Sequence, residues 1–299
     1  MFEVYKQKFK QADIVKKYIF VNVVVYIIFV LIGVFSVLFN ERTLAAEVRS
    51  LFEVPASVEV LLHRPWTLFT YMFMHADLMH ILWNMLALYV FGRIFLDSFS
   101  TRHFVGTYIL GGVMGALFFV LAYNVFPYFS DAVDVTCLVG ASASVLAVVV
   151  AAAVRNPESR VNLLLLGSVK LSTLAIVAVL ISVFLLSGNN AGGNFAHLGG
   201  AFAGYAIALL LRRGIDLTNV VNRQVDWFRG LFIKRPFKRK KKAKFTYSAG
   251  KRNADYDYNA RKKADEAAID RILEKIKKGG YASLNEDEKR QLFNASSKK

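Results

Sequence analysis

Six apolar stretches, separated by more polar segments, are the feature that most constrains the fold of this chain. Crossing the hydrocarbon core of a bilayer as a helix takes about 20 mostly apolar residues. A helix satisfies its backbone hydrogen bonds internally, so apolar stretches of this kind predict spanning helices. The predicted spans are residues 18–39, 79–96, 104–123, 138–154, 171–186 and 195–211. The sequence therefore predicts an all-α polytopic membrane protein with six transmembrane helices.

The distribution of basic residues predicts the orientation of these spans. Five lysines precede span one, Arg212 and Arg213 follow span six, Arg102 lies between spans two and three, and three basic residues lie between spans four and five. Basic residues in short flanking segments stay on the cytoplasmic side. We therefore expect both termini of this multi-pass protein in the cytoplasm. The membrane is expected to be a bacterial cytoplasmic membrane. The first apolar stretch exceeds the roughly 7 to 15 residues of a signal-peptide core, which predicts an anchor.

Charge divides the chain into an almost neutral membrane part and a basic tail. From Arg212 onward there are 25 Lys and Arg against 11 Asp and Glu, so the tail carries +14 of the total net charge of +16. The predicted domains are a cytoplasmic N-terminal segment, a six-span membrane domain, a basic juxtamembrane linker and a small soluble helical hairpin. Their bounds are residues 1–17, 18–213, 214–263 and 264–299, in that order.

Two features of the tail carry specific predictions. Residues 234–244 hold eight basic side chains, a density that favours contact with anionic lipid. Nucleic-acid binding is not expected of a basic segment tethered to a membrane. Further on, an apolar stripe ends at Gly279 and Gly280, and Asn285 with Glu288 has the pattern of a helix capping box. These patterns predict two short helices in a small cytoplasmic tail.

Ser142 and His197 are polar residues inside two different predicted spans. Polar groups in a membrane are disfavoured unless they face protein or water, so each is a candidate functional residue. Small residues recur every four positions after Ser142, and Gly200 and Gly204 follow His197. This spacing brings helix backbones together. If the two faces pack, the imidazole reaches the hydroxyl, which permits general-base activation of a serine nucleophile.

Acyl transfer also needs hydrogen-bond donors for the developing oxyanion. His80 and Asn84 lie four residues apart at the start of the second span, so they share one helical face. Together with the backbone N–H of Ser142, they form a candidate oxyanion hole.

Three further residues are candidates for supporting roles. Gly140 permits a tight turn or a close backbone approach just before the candidate nucleophile. His75 is predicted to hold its loop through a structural hydrogen bond. Asn194, one turn before His197, is the polar residue in span six that is placed to orient the imidazole ring.

Each of these residues also has a structural interpretation. A lone serine in a membrane helix commonly hydrogen-bonds a backbone carbonyl or a neighbouring helix. His75, His80 and His197 are potential metal ligands, but the chain has no H-E-x-x-H motif, and Cys137 is its only cysteine. We therefore expect neither a metal nor a cofactor.

Three motifs, in the same order, resemble those of the rhomboid family of intramembrane serine proteases. They are His75 to Asn84, Gly140-Ala141-Ser142-Ala143 and Ala196-His197-x-x-Gly200-x-x-x-Gly204, and the likeness covers residues 18–213. The resemblance implies a six-span rhomboid-like bundle in which Ser142 and His197 form a catalytic dyad and His80 and Asn84 are oxyanion donors. It implies cleavage of single-span membrane proteins within or near their transmembrane segment, in a water-filled cavity open to the non-cytoplasmic side.

The sequence departs from that family pattern at three positions. Ala143 replaces the second glycine of G-x-S-G, Leu146 stands where many relatives have an aromatic residue behind the histidine ring, and Thr67 follows Trp66 where Trp-Arg is frequent. None of these changes removes a reacting atom. The alternative function is a catalytically inactive rhomboid-like protein that binds or escorts membrane clients. A transporter or channel is disfavoured, because we find no internal repeat and no intramembrane acid suited to ion coupling.

Overall fold

The structure is a computed structural model that describes residues 12–41, 43–163, 167–232, 268 and 270–296. The chain forms two compact units, Met1–Lys234 and Arg235–Lys299. Most of the predicted N-terminal segment and the whole basic run at 234–244 lie outside the described residues.

Helices make up most of the described part of the first unit. They are α1 (Ile14–Leu38), α2 (Leu44–Ser50), α3 (Val58–His63), α4 (Thr67–Thr70), α5 (Leu78–Leu96), α6 (Thr101–Val125), α7 (Ser142–Arg155), α8 (Leu171–Phe184), α9 (Ala191–Arg212) and α10 (Thr218–Phe232). Each predicted span overlaps with one of the helices α1, α5, α6, α7, α8 and α9. Of these, α1, α5, α6 and α9 are long and apolar enough to cross a membrane, whereas α7 and α8 are shorter apolar helices. Short 3₁₀ helices occur at Tyr71–Phe73 and Pro127–Ala132.

The structure also contains short strands. The all-α prediction does not include them. Strand β1 (Val54–Pro55) pairs antiparallel with β2 (Cys137–Leu138), and β3 (Arg160–Leu163) pairs antiparallel with β4 (Gly167–Lys170). Because β2 pairs with a distant segment, the chain is extended where the fourth span was predicted to begin. The helix starts only at Ser142, so the predicted start at residue 138 is wrong.

Helix α7 lies at the centre of the first unit, and every residue from Ala143 to Ala153 is buried. On one side, a Cβ added at Gly200 or Gly204 of α9 would collide with backbone carbonyl oxygens of α7. On the other side, Gly111 and Gly115 of α6 lie against the methyl groups of Ala147 and Ala143 of α7. The three helices therefore meet almost backbone to backbone, as small residues allow in membranes.

Helix α10 occupies part of the segment that the sequence assigns to a linker, so that linker prediction is too long. It packs on the start of α6, where the Asn222 side chain donates a hydrogen bond to the Arg102 carbonyl (3.1 Å). The Arg102 guanidinium also pairs with Asp226, and Thr218 lies directly against Gly106. Residues Thr218–Phe232 therefore form a packed helix rather than a linker.

The second unit contains two helices in its described part, as predicted. Residues 270–279 form α11, which ends before Gly280 at φ +70°, and Glu286–Ser296 form α12. The predicted capping box is confirmed: Glu288 N–H donates to Asn285 Oδ1 (2.8 Å), and Asn285 N–H donates to Glu288 Oε2 (2.8 Å). Lys275 Nζ also donates to Glu288 (2.9 Å), which links the two helices.

Gly204 provides a test of the close approach between α7 and α9. We expect Gly204→Ala to lower stability by about 1–3 kcal/mol, because the added methyl group has no space against α7. Thermal unfolding of the purified protein in detergent measures the effect. Gly33→Ala in α1 is the matched control, since nothing lies within 4 Å of its Cβ position. Equal unfolding midpoints for the two variants would contradict this packing.

Candidate active site

Ser142 is the first residue of α7, and a sharp turn places it there. Gly140 has φ +128°, a conformation that residues with a Cβ rarely adopt. The N–H of Gly140 donates to the carbonyl of Tyr71 (3.1 Å), and the Tyr71 hydroxyl donates to the Gly112 carbonyl of α6 (2.6 Å). The turn before Ser142 is therefore anchored to two other parts of the bundle.

His197 approaches Ser142 from α9. Its Nε2 atom lies 2.8 Å from Ser142 Oγ, within hydrogen-bond distance. Gly200, one turn further along α9, lies directly against the backbone of Ala143. The close contact between α7 and α9 therefore extends to the turn of each helix that carries Ser142 or His197. The arrangement allows the imidazole to accept the hydroxyl proton.

Ser182 of α8, which the sequence reasoning missed, lies on the other side of the His197 ring. Its Oγ atom is 3.3 Å from His197 Nδ1 and also donates to the Ala178 carbonyl (3.0 Å). Asn194, the predicted orienting residue, instead donates to the Leu185 carbonyl (2.8 Å) at the end of α8. No sequence signal separates Ser182 from the other serines of the spans, because the contact depends on how α8 packs on α9.

His80 and Asn84 lie on one face of α5, beside the turn that precedes Ser142. A Cβ added at Gly140 would lie 2.8 Å from the His80 imidazole, so glycine at this position leaves room for the ring. Asn84 is buried, and its side chain donates to the His80 carbonyl (2.9 Å). Asp77 caps the start of α5 by accepting from the His80 N–H (2.8 Å).

His75 is buried, but neither ring nitrogen has a hydrogen-bond partner of standard geometry among the described residues. The ring has an interaction of poorer geometry with the Phe73 backbone, so the predicted structural hydrogen bond is weak. The ring also contacts the His80 ring edge to face, with 5.1 Å between ring centroids. His75 thus packs behind a candidate oxyanion donor.

A cavity of about 1020 Å³ brings these side chains together. Ser142, His197, His80, Asn84, Ser182 and Asn194 all line it. Apolar side chains of α5 and α8 form much of the remaining wall, among them Trp83 and Ile181.

The departures from the family pattern leave this arrangement intact. Ala143 is buried and contacts Gly115 of α6 and Gly200 of α9, so its methyl group is accommodated. Leu146 is buried and lines the cavity. The Thr67 hydroxyl is buried and donates to the Arg64 carbonyl (2.7 Å), which makes it part of the loop structure.

Fold and site together define a multi-pass helical membrane protein in which a serine and a histidine from two helices meet inside the bundle. Residues 62–214 match the family model of the Rhomboid domain. The match covers just over half of the 299 residues, and the chain therefore belongs to the rhomboid family, an intramembrane-protease-like family. Residues 252–298 match a family of unknown function (DUF6576). No curated protein shows a significant match to the chain.

Gly140 provides a test of how the turn places His80 and Ser142. We expect Gly140→Ala to lower the thermal unfolding midpoint, because an alanine is strained at φ +128° and its methyl group would displace the His80 ring. Gly214→Ala is the control, since Gly214 has φ +81° but nothing within 4 Å of its Cβ position. The control therefore reports backbone strain alone. A Gly140→Ala midpoint no lower than that of Gly214→Ala would show that the His80 contact is unimportant.

Proposed function

We propose that the protein is an intramembrane serine endopeptidase that hydrolyses a peptide bond within or near the transmembrane segment of a membrane-anchored substrate. The observation that carries this proposal is the 2.8 Å separation between His197 Nε2 and Ser142 Oγ. A nucleophile and a base within hydrogen-bond reach are what covalent catalysis by serine requires. Membership of the rhomboid family supports the same reaction class.

In the proposed reaction, His197 Nε2 accepts the hydroxyl proton while Ser142 Oγ attacks the scissile carbonyl carbon. The imidazolium then gives this proton to the leaving amine as the C–N bond breaks, which leaves an ester on Ser142. A water molecule next gives a proton to His197 and attacks the ester carbon. The acid product leaves as His197 returns the proton to Ser142 Oγ.

His80, Asn84 and the backbone N–H of Ser142 are the proposed donors to the oxyanion. All three groups belong to residues that line the same cavity. Asn84 uses one of its two N–H groups on the His80 carbonyl, which leaves the other as a donor. Preorganised donors of this kind stabilise the charge that develops in the transition state.

The proposed substrates are single-span membrane proteins. The walls of the cavity support this class, because apolar side chains from α5 and α8 meet the polar site residues there. Trp83 and Ile181 both line the cavity and are more than half exposed. An apolar segment that approaches between α5 and α8 would meet apolar side chains first and the Ser142 hydroxyl further in.

The proposed topology has six crossings of a bacterial cytoplasmic membrane, with both termini in the cytoplasm and Ser142 towards the opposite side. Helix α7 is short, but it is buried by its neighbours, and non-helical backbone at membrane depth is tolerated where protein surrounds it. The basic run at 234–244 is proposed to contact anionic lipid on the cytoplasmic side. Nucleic acid is not a proposed partner.

Replacing Ser142 tests the reaction directly. We expect Ser142→Ala to abolish cleavage of a single-span reporter by the full-length protein in liposomes, because no nucleophile remains. A fluorophosphonate should label the unmodified protein, and His197→Ala should reduce the labelling rate by at least about a thousandfold. Ser144→Ala is the matched control, since Ser144 lies in the same helix but contacts Met72 Sδ (3.9 Å).

The outcomes of this experiment separate the two functions considered. Cleavage that persists in folded Ser142→Ala protein would contradict the proposal. A folded, unmodified protein that neither reacts with the fluorophosphonate nor cleaves any reporter would favour an inactive rhomboid-like protein that binds or escorts membrane clients.

Asn84 tests the oxyanion proposal. We expect Asn84→Ala to lower kcat about a hundredfold with little change in KM, because the amide is proposed to donate mainly to the transition state. Reporter cleavage at several substrate concentrations gives both constants. Asn222→Ala in α10 is the control, since Asn222 also donates to a carbonyl four residues earlier (2.9 Å) but lies outside the cavity. An unchanged kcat for Asn84→Ala would remove Asn84 from the proposed hole.

A further inference from the structure

His197 is held between two serine hydroxyls. Ser142 Oγ lies 2.8 Å from Nε2, and Ser182 Oγ lies 3.3 Å from Nδ1. Ser182 is only 3% exposed, so bulk water does not compete strongly for its hydroxyl. The two contacts together constrain both nitrogen atoms of the ring.

The hydrogen bonds of Ser182 determine which nitrogen carries the proton. A hydroxyl has one hydrogen, and the Ser182 hydroxyl donates it to the Ala178 carbonyl (3.0 Å). Its contact with Nδ1 then requires Nδ1–H to donate to the Ser182 oxygen. A neutral imidazole protonated at Nδ1 has a free lone pair at Nε2, and Nε2 is the atom that faces Ser142.

We propose that Ser182 is a positioning residue that holds His197 in the Nδ1–H tautomer and thereby keeps Nε2 ready to accept the Ser142 proton. The inference rests on the proposed peptidase function and deepens it. Ser182 touches no reacting atom, so its effect passes entirely through the orientation and tautomer of the imidazole.

The surroundings of the ring show why such a residue is needed. Helices α7 and α9 contain no Asp or Glu, so neither supplies a carboxylate to bind Nδ1. Asn194 is engaged with the Leu185 carbonyl. Leu146 has no polar group that could fix the tautomer. Among the described residues, Ser182 provides the hydrogen-bond contact to Nδ1.

The test measures how fast a fluorophosphonate inactivates the full-length protein in detergent, resolved into kinact and KI. We expect Ser182→Ala to lower kinact by on the order of tenfold, which corresponds to about 1.4 kcal/mol, with KI unchanged. Ser182→Thr retains the hydroxyl and should recover most of the loss. Ser172→Ala is the matched control, because Ser172 also lies in α8 but donates to the Pro157 carbonyl (2.9 Å).

A second measurement determines the tautomer of His197 directly and does not depend on a reaction rate. In protein labelled with ¹⁵N-histidine, the His197 signals, assigned by their loss in His197→Ala, should show a proton on Nδ1 and should shift towards Nε2–H in Ser182→Ala. A protonated Nε2 in the unmodified protein, or a kinact of Ser182→Ala equal to that of the unmodified protein, would overturn the inference. Failure of the unmodified protein to react at all would instead contradict the peptidase proposal.

Discussion

The close backbone approach of α7 to α6 and α9 is the constraint on which the rest of the structure depends. Larger side chains at Gly111 and Gly115 of α6 or at Gly200 and Gly204 of α9 would push the helices apart, since their Cβ positions coincide with atoms of α7. Ser142 begins α7, and His197 lies one turn before Gly200 of α9. The same small residues that pack the bundle therefore set the separation between the hydroxyl and the imidazole. The packing of small residues between these helices therefore determines both the stability of the bundle and the geometry of the site.

That constraint fixes helix backbones, but it does not orient an imidazole ring or place an oxyanion donor. Those tasks fall to polar contacts from neighbouring elements: α8 supplies Ser182 to Nδ1, and the 3₁₀ turn before α5 supplies the Tyr71 carbonyl to Gly140. The proposed site is thus assembled from helices α5, α7, α8 and α9 and from the 3₁₀ turn that precedes α5.

Local patterns in the sequence were sufficient to predict some of these features, and long-range contacts explain the others. Apolar stretches predicted where the six main helices lie, and small-residue spacing predicted that Ser142 and His197 meet. The start of α7 was misplaced because β2 depends on pairing with β1, far away along the chain. Ser182 escaped notice because α8 is apolar around most of its circumference and carries no periodic signal. Helix α10 was missed although its apolar residues recur with helical spacing, because it is too polar to be counted among the apolar stretches.

A site built from neutral hydroxyls suits its place in the bundle. A carboxylate beside His197 would have to be taken out of water, and the effective penalty for burying one such ion is several kcal/mol unless it is fully paired. A hydroxyl can accept the Nδ1–H hydrogen bond while carrying no charge. Its weaker attraction for an imidazolium is the corresponding disadvantage. In the proposed mechanism, charge therefore develops on His197 only while the negative charge on the oxyanion is close by, where the two charges stabilise each other.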